Sequence, residues 1–254
     1  MIELPGFAVL LARLLDHRGL APADLARRAE AAGPEVAAVL AGAAPEPALL
    51  RRLAPTLGLD AADLFELAAL PLPEDLAPAG GMATTSITGV LRLVLALPPA
   101  SRAELRARVA GLPSARHRGR IEGLPAALPD RHTPGNVLMR MVATRNLGWN
   151  GTAKVVQLLT GRSRMATAYG RIASGEAELT PDLVADLATV LALPAADLAA
   201  VLGLPLPAAA PAAPAAPAPG EAVTDAALLL RDLRRLGVEQ LREAEDLARA
   251  LSSA

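Results

Sequence analysis

Between residues 160 and 174 the chain gathers side chains that could grip an anion or read a base edge: Arg162, Ser163, Arg164, Thr167, Arg171 and Ser174, with Lys154 shortly upstream. Arginine presents a planar fork that fits phosphate or guanine, threonine combines a hydroxyl with a methyl, and lysine is a point charge for phosphate. On a helix, Tyr169 and Ile172 turn inward with Ala153 and Leu187, leaving Thr167, Gly170, Arg171 and Ser174 toward solvent. Nothing else converges on reaction chemistry. His17, His117 and His132 share no metal-ligand spacing, cysteine is absent, and neither a glycine-rich phosphate loop after a strand nor a Ser/His/Asp set is present. The expectation is a binding protein without cofactor or metal, not an enzyme.

These side chains must be positioned by helices. Apolar residues make up 52% of the 254-residue chain but aromatic residues only 2%, and Ala, Leu, Arg and Glu dominate where a β-rich protein would need β-branched and aromatic side chains. The fold class is therefore all-α. Pro, Gly or Arg breaks every apolar run before the roughly 18 residues a bilayer crossing needs. The amino end lacks the basic flank and apolar stretch of a signal peptide. A cytoplasmic protein without membrane contact is expected. The net charge of −1 conceals segregation: −5 over residues 1–76, +5 over 77–133, +1 over 134–206 and −2 over 207–254. A polyanion would be repelled by the first segment and tolerated by the middle ones.

The chain repeats itself. Leu57-Gly58-Leu59-Asp60-Ala61-Ala62-Asp63-Leu64 aligns with Leu191-Ala192-Leu193-Pro194-Ala195-Ala196-Asp197-Leu198 at an offset of 134, and Arg18-Gly19-Leu20 aligns with Arg145-Asn146-Leu147 at an offset of 127. The second copy thus carries extra residues in its middle, assigned to a long turn at 160–165. Five short helices are predicted in each copy: 7–17, 22–29, 34–41, 47–57 and 61–70, then 134–145, 151–159, 166–174, 181–191 and 195–202. Trp149 falls in the loop before the second helix of its copy, as a core anchor. Two further helices, 87–97 and 101–112, lie between the copies, the latter opened by Ser101 and Glu104 at capping-box spacing. An Ala-Pro run at 208–220 reads as a semi-rigid spacer. Beyond it, 224–251 carries two apolar stripes separated by Gly237, so a kinked helix or a helical pair is expected, packed on its own chain or on a partner.

Five short helices with a tight turn between the second and third resemble the Cro/repressor-like (XRE) helix-turn-helix domain. Leu25-Ala26 fit the family's second-helix pair, Val36 and Val39 its buried third-helix face, and Gly42 its closing glycine; Glu30 stands where the family has a turn glycine. The Asn146-Leu147-Gly148-Trp149-Asn150-Gly151-Thr152-Ala153-Lys154 stretch is similar to one in actinobacterial regulators with two such domains. The resemblance covers residues 7–76 and 134–204. It implies helix-turn-helix domains at 1–77 and 134–206, while composition and patterning give the rest: a helical linker with a basic stretch at 78–133, an Ala/Pro linker at 207–221 and a carboxyl-terminal amphipathic helix at 222–254.

In such a domain the third helix enters the major groove. The first copy offers Ala32, Gly33, Pro34, Glu35, Ala37 and Ala38 there, none a good base reader, so its expected role is dimerisation or protein contact; Arg27 and Arg28 at its second helix leave open a residual DNA contact. The second copy offers Lys154, Arg162, Ser163, Arg164, Thr167, Arg171 and Ser174 and is the expected reader of double-stranded DNA, unless these are only a solvated face. The Arg116-His117-Arg118-Gly119-Arg120 run either tracks phosphate, enters a minor groove, or is a solvated linker. With one competent copy per chain and two half-sites to fill, a homodimer is expected, held by the first domain or the carboxyl-terminal helix. The alternative is a non-DNA interaction adaptor using both helical domains as scaffolds.

Overall fold

The structure, a computed structural model, describes residues 3–81, 83–115, 121, 132–204 and 220–252. The basic run at 116–120 and the Ala-Pro run at 208–219 lie outside the described residues, as does the function proposed for each. Every element among the described residues that is longer than an isolated bridge is an α-helix. No single helix there is long and apolar enough to cross a membrane.

The first unit holds α1 (Phe7–Arg18), α2 (Pro22–Arg28), α3 (Gly33–Leu40), α4 (Pro47–Thr56) and α5 (Ala61–Leu67). After α6 (Thr84–Ala96) and α7 (Pro99–Gly111) comes the second unit: α8 (Pro134–Ala143), α9 (Trp149–Thr160), α10 (Ala166–Ala173), α11 (Pro181–Leu191) and α12 (Ala195–Leu202). The chain ends with α13 (Glu221–Leu233) and α14 (Val238–Ser252), a helical pair separated at Gly237. Many of the boundaries are set locally. Proline occupies the first position of α2, α4, α7, α8 and α11, where its missing N–H has no intrahelical partner to lose and its φ already suits a helix. Thr133, Thr180 and Asp60 cap α8, α11 and α5 by accepting the backbone N–H of Asn136, Leu183 and Ala62.

Two local expectations are corrected. Ser101 does not cap α7, because the helix already begins at Pro99 and takes Ser101 into its first turn; Glu104 instead pairs with Arg108 one turn on. Nor is the turn before α10 several residues too long. It runs from Gly161 to Met165, one residue more than the Ala29–Ala32 turn of the first unit; most of the other extra residues lengthen α9, which begins at Trp149, not after it, and has 12 residues against 7 in α2. Helix is the cheaper place for them, since each adds a backbone hydrogen bond.

The repeat is a backbone repeat as well as a sequence one. Left-handed residues recur at matching places in the two units: Gly19 and Asn146, Glu30 and Gly161, Gly42 and Gly175, Gly58 and Ala192, Ala69 and Gly203. The units also pack reciprocally. α1 of the first lies on α12 of the second, and α8, the counterpart of α1, lies on α5, the counterpart of α12. The matching ion pairs cross in the same way. Arg18 bonds Asp197 at 2.6 Å, while Arg145 bonds Asp63 at 2.7 Å through both carboxylate oxygens. Where the equivalent segments ahead of α1 and α8 meet, the Leu4 N–H donates to the His132 carbonyl at 2.6 Å.

The remaining helices close over this pair. α13 and α14 pack on α6 and α7, and this four-helix layer is joined to the second unit through α6 on α9 and α13 on α11. Leu229, Leu230, Leu233, Leu236, Leu241, Ala244 and Ala248 are all fully buried and Leu251 is half-buried, so both apolar stripes of the carboxyl-terminal segment are largely covered by its own chain. Arginines tie the layers at helix ends, where carbonyls lack partners: Arg231 donates to Leu191 and Ala192 O, and Arg235 to Val109, Ala110 and Leu112 O.

Arg145 and Asp63 are both 0% exposed, and Arg145 Nη1 also bonds Thr144 Oγ1 at 2.7 Å. Burial works against the Arg145 charge, yet Asp63 and Asp60 hold its pKa above the ordinary arginine value. Removing one partner of such a pair strands the other; Arg145→Ala should cost about 3–5 kcal/mol in urea unfolding, and Arg145→Met with Asp63→Leu should recover most of it. Arg18→Ala should cost less, because Arg18 keeps 25% side-chain exposure. In the α2–α3 turn, Glu30 has φ +50°. A left-handed residue with a Cβ is strained, so Glu30→Gly should raise stability by about 0.5–1 kcal/mol, seen as a higher thermal midpoint.

Candidate nucleic-acid interface

α10 is amphipathic. Tyr169, Ile172 and Ala173 point into the core, and Thr167 and Arg171, one turn apart, stand on the exposed face. Trp149, at the start of α9, lies over Gly170, where an added Cβ would come within 3.3 Å of its indole nitrogen. Gly170 is therefore half-covered by tryptophan and is not a solvent-facing position. Ser174 is half-buried at the end of α10, and its hydroxyl donates to the Arg171 carbonyl at 3.1 Å. Its hydrogen-bonding capacity is partly spent within the helix.

The turn brings Arg162, Ser163 and Arg164 to the entrance of α10, with Met165, 75% exposed, as the most open large apolar side chain among the described residues. The two arginines are not free. Arg162 Nη1 lies 3.4 Å from Asp182 and 3.5 Å from Asp186, and Arg164 Nε lies 3.6 Å from Asp186. These separations are attractive but too long for strong hydrogen bonds. Asp186 is 3% exposed, and burial pushes its carboxyl above the usual aspartate range despite the two arginines. Beside it the fully buried Tyr169 hydroxyl has no hydrogen-bond partner among the described residues, and burial lifts its pKa to about 12. Arg171 meets Glu176 only at 3.9 Å, with both side chains mostly exposed.

Lys154 belongs to a different face. It lines a groove of about 740 Å³ between α6, α9 and α14, with Arg92, Gln157 and Glu245. Nearby, Gly151 lets α9 approach the start of α6, where an added Cβ would come within 3.0 Å of Thr84 Oγ1. The structure thus brings the turn arginines, Ser163, Thr167 and Arg171 onto one stretch of chain and leaves Lys154 beside the four-helix layer.

The matching face of the first unit is unlike it. α3 exposes Gly33, Pro34, Glu35, Ala37 and Ala38 and buries Val36 and Val39. Glu35 accepts from the Ala32 N–H at 3.1 Å and from Arg52 at 2.9 Å, and Arg52 also reaches the Glu30 carbonyl. Glu35 therefore braces its own turn. Arg27 pairs with Asp24 at 2.7 Å and Arg51 forks onto Asp75 at 2.8 Å.

Sequence reasoning missed Asp182 and Asp186 as partners of the turn arginines. Their i, i+4 spacing marks a shared face of α11, but only the packing of α11 against α9 turns that face to the turn. It also missed Arg92, which nothing near it in sequence singles out. Comparison with protein-family models, curated proteins and solved structures finds no match to this chain.

Because burial pushes Asp186 up, its neutral form is reached at higher pH than for an ordinary aspartate, and protonation frees Arg164 while leaving Arg162 its contact to Asp182. A carboxyl raised in the fold gives no stability that mild acid would remove, so the release occurs in folded protein. If this turn meets a polyanion such as duplex DNA, affinity should strengthen as the medium is made more acid, beyond any general trend. Asp186→Asn should be several-fold tighter at pH 7 and lose that component, measured by fluorescence anisotropy at fixed salt.

Proposed function

We propose that the protein is a sequence-specific, DNA-binding transcription regulator of the Cro/repressor-like helix-turn-helix kind, with α10 as the helix that enters the major groove. The observation that carries this reading is the pairing of Thr167 and Arg171 on the exposed face of a short helix whose other face is locked into the core, directly after a turn bearing Arg162, Ser163 and Arg164. Rigid presentation matters because a base contact must be held in register to discriminate. Arg171 can fork onto a guanine edge and Thr167 can meet a base edge or a thymine methyl. Arg162 and Arg164 supply phosphate contacts once their carboxylate partners yield. Lys154, on the far side of α9, would track phosphate only on DNA that bends toward α6.

One observation favours the second reading, a protein-interaction adaptor. Asp182 and Asp186 already neutralise the turn arginines, so this face carries less free positive charge than its sequence suggests.

The two readings part in a titration of fluorescent duplexes at several salt concentrations. For the regulator, a selected site binds with a salt-dependent affinity, and Arg162→Ala weakens binding to all sequences while flattening the salt slope by about one unit. Arg171→Ala or Thr167→Ala should cost roughly 1–3 kcal/mol on the selected site and relax preference at one position. An absence of salt-sensitive binding to every duplex tried, with folded protein, selects the adaptor.

A further inference from the structure

Reciprocal packing of α1 on α12 and α8 on α5, with Arg18–Asp197 mirrored by Arg145–Asp63, is the pattern of an isologous interface, in which residue i meets j and j meets i. Such interfaces ordinarily join two chains. Here both halves lie in one chain, and the equivalent segments at Leu4 and His132 touch each other, as they must beside a two-fold axis.

We infer that the chain is an internal pseudo-dimer that acts as a single copy, and that its DNA target is correspondingly asymmetric, with one half read by α10 and the other facing an α3 without base-reading side chains. The asymmetric target rests on the DNA-binding reading; the single-copy state does not.

Much of both surfaces that sequence offered for a homodimer is already occupied, with the α2–α3–α4 side of the first unit left open. α1 and α5 of the first unit are covered by α12 and α8, and the carboxyl-terminal stripes are buried against α6 and α7. Among the described residues the large apolar side chains left exposed are Val9, Met165 and Val238, on three separate elements. A stable homodimer buries on the order of 1,200–2,000 Å² around an apolar centre, which three scattered side chains do not provide.

A homodimer of helix-turn-helix domains reads a palindrome because both third helices carry the same residues. α3 and α10 have equal length, so their positions correspond one to one: Gly33 with Ala166, Pro34 with Thr167, Glu35 with Ala168 and Ala38 with Arg171. At the two places where α10 presents Thr167 and Arg171, α3 presents proline and alanine, with a carboxylate between them. The second half of a palindrome would find no donor there.

The test uses the full chain. Light scattering across micromolar to 100-micromolar protein should give 26.0 kDa throughout; a concentration-dependent doubling of mass overturns the single-copy state. Selection from a randomised duplex pool should return a short consensus without two-fold symmetry, bound by one chain per duplex. A palindromic consensus bound by two chains overturns the inference. Monomeric protein that enriches no sequence overturns the asymmetric target together with the DNA reading, and upholds the single-copy state. In the gain-of-function arm, Pro34→Thr with Glu35→Gln and Ala38→Arg should shift the consensus toward two-fold symmetry, still with one chain per duplex. Glutamine is chosen because it preserves the contact to the Ala32 N–H. An unchanged consensus from this folded variant would show that α3 does not face the second half of the site.

Discussion

The bidentate bond between Arg145 and Asp63 is the interaction on which the arrangement of layers turns. It joins the end of α8 to the start of α5, two helices from different units, with no water available to either charge. A guanidinium and a carboxylate so placed repel substitution at either end, since the survivor would be buried unpaired. Around the pair the chain adds partners where it can. Thr144 takes another guanidinium donor, and Arg234 bonds Asp60 at 2.7 Å beside it. Burial would raise the Asp60 carboxyl, but Arg145, Arg234 and the Ala62 N–H outweigh it and hold it below the ordinary range.

The mirror pair, Arg18 with Asp197, lies in a wetter setting, and the difference comes from outside the repeat. α13 lies close to the Arg145 side, where Arg231 and Arg234 approach Asp60 and Asp63, and the 79–81 segment accepts from Asn146. No described helix does the same for Arg18, which instead reaches the Leu57 carbonyl at 2.8 Å. A symmetric core of two units is thus made asymmetric by a four-helix layer laid mainly on the second, touching the first at Asp60. The same layer uses up the apolar stripes of α13 and α14.

The divergence of the two outer faces follows a simple electrostatic logic. On α3 the acid is inside the helix that would approach a polyanion, and the nearby arginines are held by Asp24, Glu35 and Asp75. On α10 the helix itself carries no carboxylate, and the acids sit behind the turn on α11, where Asp186 is shielded from solvent. Of the two acids on α11, Asp186 restrains the turn arginines from a buried position, whereas Asp182 is exposed, and Glu176 is the nearest acid to Arg171.

Much of the architecture was legible in local patterns. The two sets of five helices follow from proline at helix starts, apolar residues every three or four positions and residues suited to left-handed turns, all of which act over a few residues. The inward Tyr169 and Ile172 and the outward Thr167 and Arg171 were readable for the same reason. The cover over Gly170, the length of α9, the Asp186 clamp, the separation of Lys154 from the turn and the burial of the carboxyl-terminal stripes were not. Each depends on which helix face meets another across a long loop, and an apolar stripe specifies that it will be buried without specifying against what. The repeated Arg and Asp were visible as a repeat, but their crossing between units was decided in three dimensions. In sequence Arg145 and Asp63 are simply two charges 82 residues apart; only folding removes the water between them and makes each the condition for burying the other.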